Sequence, residues 1–137
     1  MILAVALVVL VTACAPAADS FSIRRYSASA DTAFPPLDRT VTDTAVASRL
    51  YEDIRALHPQ PEGNYFCGID FGIRYDLSFF AGRERIMHAV MAGSCHVIDL
   101  GAGDVRAFDG RFEADLLGAL GLYTRGNDLW PTPMPRP

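Results

Sequence analysis

Between Ile73 and Phe80 the chain changes side chain character at every step. Ile73, Tyr75, Leu77 and Phe79 alternate with Arg74, Asp76, Ser78 and Phe80. A period of two is the signature of a β-strand, because successive side chains point to opposite faces of a sheet. Residues 81–107 continue the strand as a meander. "AGRE" turns the chain, residues 85–92 form a second strand, and Gly93-Ser94 makes a two-residue hairpin loop with Gly first. A third strand is expected at 95–100, then a "GAGD" turn and a short strand at 105–107.

Two helical stripes flank the meander. Val46, Leu50, Ile54 and Leu57 are spaced by four, four and three, one face of an α-helix capped by Thr42 or Asp43 and stopped by Pro59 and Pro61. Phe112, Leu116 and Leu120 mark a second helix, with Asp109 as its cap, Glu113 and Asp115 in its first turns and Gly121 at its end. The expected fold is therefore α+β: a three- to five-stranded, mainly antiparallel sheet with two helices packed on one face. The domain spans 42–122. Before it, 14–41 reads as a tether and loop, in which "FSIRRY" is a possible edge strand and Pro35-Pro36 excludes a helix. After it, 123–137 has Pro at every second position from Pro131, the pattern of a disordered tail.

The first residues set the compartment. Ile2 to Val11 is an unbroken apolar run, about half the roughly 20 residues needed to span a bilayer and of the length of a signal-peptide core. Val11-Thr12-Ala13-Cys14 resembles the lipobox of bacterial lipoproteins. The resemblance implies cleavage after residue 13 and attachment of a diacylglycerol to the Cys14 sulfur. Its acyl chains, palmitate for example, would anchor the chain stably, since two chains hold where one binds only marginally. The leader lacks the Arg or Lys that such segments normally carry.

With Cys14 set aside, Cys67 and Cys95 remain, and in an oxidising compartment pairing is their default. In a meander, the first and third strands start at the same end, which brings the two cysteines together. Closing a loop of about 29 residues stabilises by roughly 3.5 kcal/mol in the chain-entropy model. A redox pair would take C-x-x-C spacing. A metal or nucleophile site would need Cys95 and His96 to converge, and neighbours on a strand diverge.

Even-length turns place Leu77 opposite His88, Val90 opposite Val97 and His88 opposite Asp99. One face then carries Tyr75, Leu77 and Phe79 beneath the helices. The other carries Met87, Met91, Ile98 and Leu100, a candidate binding surface of adaptable side chains. His88 and Asp99 form a candidate polar pair within an apolar surround. An odd-length turn would exchange the faces downstream.

The order of a "TD"-headed helix, Cys67, "DFGIRYDLSF" and "GSCHV" resembles a group of small uncharacterised bacterial lipoproteins. The corresponding positions are Cys67, Gly72, Tyr75, Leu77, Phe79, Gly93 and Cys95, and the resemblance implies an α+β domain with a disulfide.

Several function classes are disfavoured. All twelve basic residues are Arg, and the net charge is −4, so no basic stripe exists for nucleic acid. Absence of Lys excludes Schiff-base and P-loop chemistry. Neither G-x-S-x-G nor H-E-x-x-H occurs, and Asp99, Asp104 and Asp109 are spaced as in no calcium loop, so neither enzyme activity, metal nor cofactor is expected. The expectation is a lipid-anchored extracytoplasmic binding or accessory domain, joined to the membrane through Cys14 and engaging an envelope protein or other envelope component. The alternative is an inhibitor of an extracellular hydrolase, presenting the 101–104 loop.

Overall fold

A computed structural model of the chain describes residues 16–63, 67–122 and 129–136. The leader, Cys14 and the first part of the C-terminal segment lie outside the described residues. The fold is α+β. Strands β1 (Ser20–Ser27), β3 (Asp38–Val41), β4 (Ile73–Ala81), β5 (Glu84–Ala92), β6 (Val97–Asp99) and β7 (Val105–Ala107) form one antiparallel sheet in the order β3-β1-β4-β5-β6-β7. Short strands β2 (Thr32–Ala33) and β8 (Met134–Pro135) pair separately.

The sheet has six strands where three to five were expected, and the unforeseen one is β3, from the N-terminal segment. "FSIRRY" belongs to an interior strand, hydrogen-bonded to β3 on one side and β4 on the other. Its alternation is obscured by Arg25, which takes a core-side position opposite Tyr75. The guanidinium is satisfied there: Nε donates to Tyr75 Oη at 2.8 Å and Nη1 to the Pro35 carbonyl at 2.7 Å. β3 is an edge strand that begins after Pro35-Pro36 and Leu37, so the prolines cost no ladder bond.

Both helices start where the sequence places them. The Asp43 carboxylate accepts from Val46 N at 3.1 Å and opens α1 (Thr44–Ala56). Asp109 accepts from the Arg111 and Phe112 N–H groups and opens α2 (Gly110–Ala119). Leu50, Tyr51 and Ile54 of α1 and Phe112 and Leu116 of α2 are buried in one cluster with Phe21, Ile23, Tyr75, Leu77 and Phe79 of the sheet. Two arginines fasten the helix ends. Arg39 donates to the Leu120 carbonyl at 2.8 Å, and Arg106 to the Arg55 and Leu57 carbonyls at 2.8 and 3.2 Å.

The register departs from expectation at one residue. The β4–β5 hairpin leaves its turn as predicted, with Ala81 opposite Glu84 and Phe80 opposite Arg85. Then Phe79 faces Met87 and Leu77 faces Ala89, so Ile86 is the extra residue of a β-bulge. Because the side-chain period is two, one inserted residue exchanges the faces of everything after it. Leu77 therefore does not face His88. The next connection is a four-residue turn, Gly93 to His96, and β6 runs only from Val97 to Asp99. Val90 faces Asp99, and Ala92 faces Val97.

Three expectations are corrected in consequence. Met87, Met91 and Ile98 do share a face, but it is the core face: Met91 and Ile98 are wholly buried, and Met87 and Leu100 are partly buried against the core. The four form no exposed patch. His88 does not face Asp99. Cys95 and His96 lie in a turn, with His96 at φ 52°, and not in a strand. The sheet thus has one apolar side and one polar side, as an antiparallel sheet with helices on a single face should.

The C-terminal segment departs from the expected disordered tail. Leu129 is buried, and its carbonyl accepts from Tyr75 Oη. Trp130 stands edge-on to Tyr75 at 5.5 Å and donates from Nε1 to Glu113 at 3.1 Å. Two large apolar residues outweigh the alternate prolines around them. The packed unit accordingly extends beyond 42–122 on both sides.

Candidate functional site

The described residues that project chemistry fall in three places, of which the disulfide end of the sheet is the most distinctive. Cys67 and Cys95 are bonded, with Cα atoms 4.6 Å apart, inside the ordinary disulfide range. Between Cys67 and β4 the chain makes a tight turn at Gly72, whose φ of 80° disfavours any side chain. Gly72 N–H donates to Asp70 Oδ1 at 2.8 Å, and the Gly72 carbonyl accepts from Ala28 at 2.7 Å. Arg74 grips both Asp70 oxygens, at 3.0 and 2.6 Å. That grip, helped by the Gly72 N–H, holds the Asp70 carboxyl down at about 2.

This locked turn directs two large apolar side chains outward. Ile69 is 76% exposed and Phe71 52% exposed. With Gly93, His96 and Trp130 they border a shallow concavity of about 210 Å³. The Trp130 indole lies directly over Gly93, so close that a Cβ there would sit 2.5 Å from the ring. The sequence carried a signal for this surface: "CGIDFG" places two apolar residues, two apart, between glycines and beside a cysteine.

The second place is the polar side of the sheet. Asp76 accepts from Arg24 Nη2 at 3.0 Å, and His88 Nε2 lies 3.4 Å from its other oxygen. Asp76, from β4, is thus the partner of His88. Asp99 instead accepts from Gly101 N–H at 2.7 Å and serves its own turn.

The third is a groove of about 420 Å³ between the C-terminus of α1 and the N-terminus of α2. Leu57, Phe108 and Phe112 line its apolar part and Asp53, His58 and Asp115 part of its rim. Asp109, also on the rim, is occupied as the cap of α2. The 101–104 turn is a closed β6–β7 connection, with Leu100 N donating to the Asp104 carbonyl at 2.9 Å and Asp104 N to the Gly101 carbonyl at 3.0 Å. Asp104 is paired with Arg106, which lowers its pKa.

The three histidines are dispersed: His58 follows α1, His88 is on the polar side of the sheet, and His96 packs its ring 5.4 Å from Phe108. Among the described residues no three His, Cys, Asp or Glu side chains converge as metal ligands, and no helix is long and apolar enough to cross a membrane. Comparisons with protein families, with curated proteins and with solved structures find no match to this chain.

Proposed function

We propose that this chain is a lipid-anchored, extracytoplasmic binding domain that engages an envelope component through the end bearing Ile69 and Phe71. The observation that carries the reading is this exposed pair, held on a turn closed by a disulfide and an Arg–carboxylate fork. Large apolar side chains displayed on a rigid segment are what binding surfaces use, because little freedom is lost when they are covered. The Cys67–Cys95 bond is compatible with an oxidising compartment, and Val11-Thr12-Ala13-Cys14 supplies the lipobox-like site.

Direction supports the same reading. The chain enters β1 at Ser20, opposite Phe80, whereas Phe71 precedes Ile73, opposite Ser27. The nine residues of β4 separate these ends by about 27 Å. A lipid on Cys14 would therefore leave the apolar end facing away from the bilayer.

The immobilised domain should retain a defined component from solubilised envelope. Ile69→Ser with Phe71→Ser should lose it without a change in melting temperature, and equal retention by both proteins would contradict the reading. Cys14→Ser should release the protein from membranes or leave the leader uncut; normal processing together with membrane fractionation would remove the anchor.

A further inference from the structure

Ser22 of β1, Ser78 of β4 and His88 of β5 lie in a single cross-strand row on the polar side of the sheet. They line a concavity of about 370 Å³ to which Arg85 also contributes. In a regular strand residues 85 and 88 would point to opposite faces. The bulge at Ile86 brings both onto this one, and bulges often serve to re-aim a side chain beside a binding site.

The cavity also contains two carboxylates, but neither offsets Arg85. Asp76 is already held between Arg24 and His88. Asp38 lines the far side of the hollow from β3, three strands from β5, or about 14 Å between the strand backbones at roughly 4.8 Å per strand, and makes no ion pair with Arg85. The Arg85 side chain is exposed and has no hydrogen-bond or ion-pair partner among the described residues. An unpaired guanidinium, two hydroxyls and an imidazole whose Nδ1 is not committed to Asp76 surround one hollow, a donor set suited to the oxygens of a phosphate.

The hollow lies toward the end where the chain enters the sheet. Arg85 faces Phe80, which faces Ser20, and Asp19 N donates to the Phe80 carbonyl at 2.8 Å. Ala18 is buried, and the four Cα-to-Cα steps from Cys14 to Ala18 can span at most about 14 Å. We propose that the polar side of the sheet binds a phosphate group through Arg85, His88, Ser22 and Ser78. Its source in the cell is an anionic phospholipid headgroup, an assignment of source that rests on the anchor reading.

Residues 16–137 contain the entire sheet, both helices and the disulfide, and serve as the test protein. Titration with inorganic phosphate should shift the amide resonances of Ser22, Ser78, Arg85 and His88. Arg85→Ser should weaken binding about tenfold with unchanged melting temperature, while Arg83→Ser at the neighbouring turn should bind as the parent does. Phosphatidylglycerol vesicles should bind in an Arg85-dependent way and phosphatidylcholine vesicles should not. Binding of phosphate without binding of vesicles keeps the site and assigns it to a soluble phosphorylated ligand. No saturable shift with either probe, or an Arg85→Ser protein that titrates like the parent, overturns the proposal. The mass of the N-terminal peptide from native membranes reads the anchor separately, so an unmodified Cys14 would remove the lipid tether and leave the phosphate titration standing.

Discussion

At the end of the sheet where the chain enters, simple hydrogen bonds do the holding. Asp19 N donates to the Phe80 carbonyl, the Asp19 carboxylate accepts from Gly82 N–H, and Arg83 in the β4–β5 turn and Glu84 and Arg85 at the start of β5 are exposed. At the opposite end a disulfide, an Arg–carboxylate fork and the returning C-terminal segment all meet. Trp130 covers Gly93, and Tyr75 Oη holds the Leu129 carbonyl. The reinforcement sits where Ile69 and Phe71 are exposed. Apolar surface left in water needs a rigid support, since a loose segment would fold its apolar side chains inward or lose freedom on binding. The polar end needs none, because charged side chains are stable in water as they are.

Removing the supports one at a time measures what each contributes. Cys67→Ala with Cys95→Ala should have the largest effect, a loss of about 3.5 kcal/mol in denaturant unfolding. Unchanged stability would mean that the bond is incidental. Gly93→Ala pushes a methyl group into the Trp130 ring and should cost about 2 kcal/mol, with a red shift in tryptophan emission as the indole is displaced.

Tyr75→Phe should cost about 1.5 kcal/mol, because the Leu129 carbonyl loses its donor in a buried place. The same hydroxyl gives a pH dependence. Burial pushes the Tyr75 pKa up to about 12, while in the unfolded chain it lies near 10. A raised folded value means that the contribution is complete below pH 10 and is lost as pH rises toward 12. Stability should decline across that window in the parent, and less steeply in Tyr75→Phe. At the entry end, Arg83→Ser should change stability by no more than about 0.5 kcal/mol. A cost comparable to that of Gly93→Ala would erase the difference between the ends.

The local patterns were legible in the sequence. Asp43 and Asp109 are the helix caps, and Leu50, Ile54, Phe112 and Leu116 are buried as their spacing requires. The two cysteines are bonded, and the β4–β5 turn has the expected length, whereas the two-residue loop expected at Gly93-Ser94 is a four-residue turn. What remained hidden depended on single residues whose effect is nonlocal. The Ile86 bulge has no distinctive composition, yet it decided that Met91 is core and that His88 meets Asp76. Arg25 disguised an interior strand because its charge is satisfied by groups far along the chain. Alternate prolines disguised the packing of Leu129 and Trp130, whose partners are about fifty residues earlier and seventeen earlier. The exposed Ile69 and Phe71 belong to no periodic element, so periodicity could not find them.

The difference between the two ends is tested most directly by photo-crosslinking in intact cells, with a benzophenone side chain placed at position 71 in one strain and at position 83 in another. Position 71 should give a discrete protein adduct or other envelope adduct, and position 83 lipid-containing adducts without that partner. The same adducts from both positions, or none from position 71 in protein that is correctly folded and oxidised, would contradict that difference.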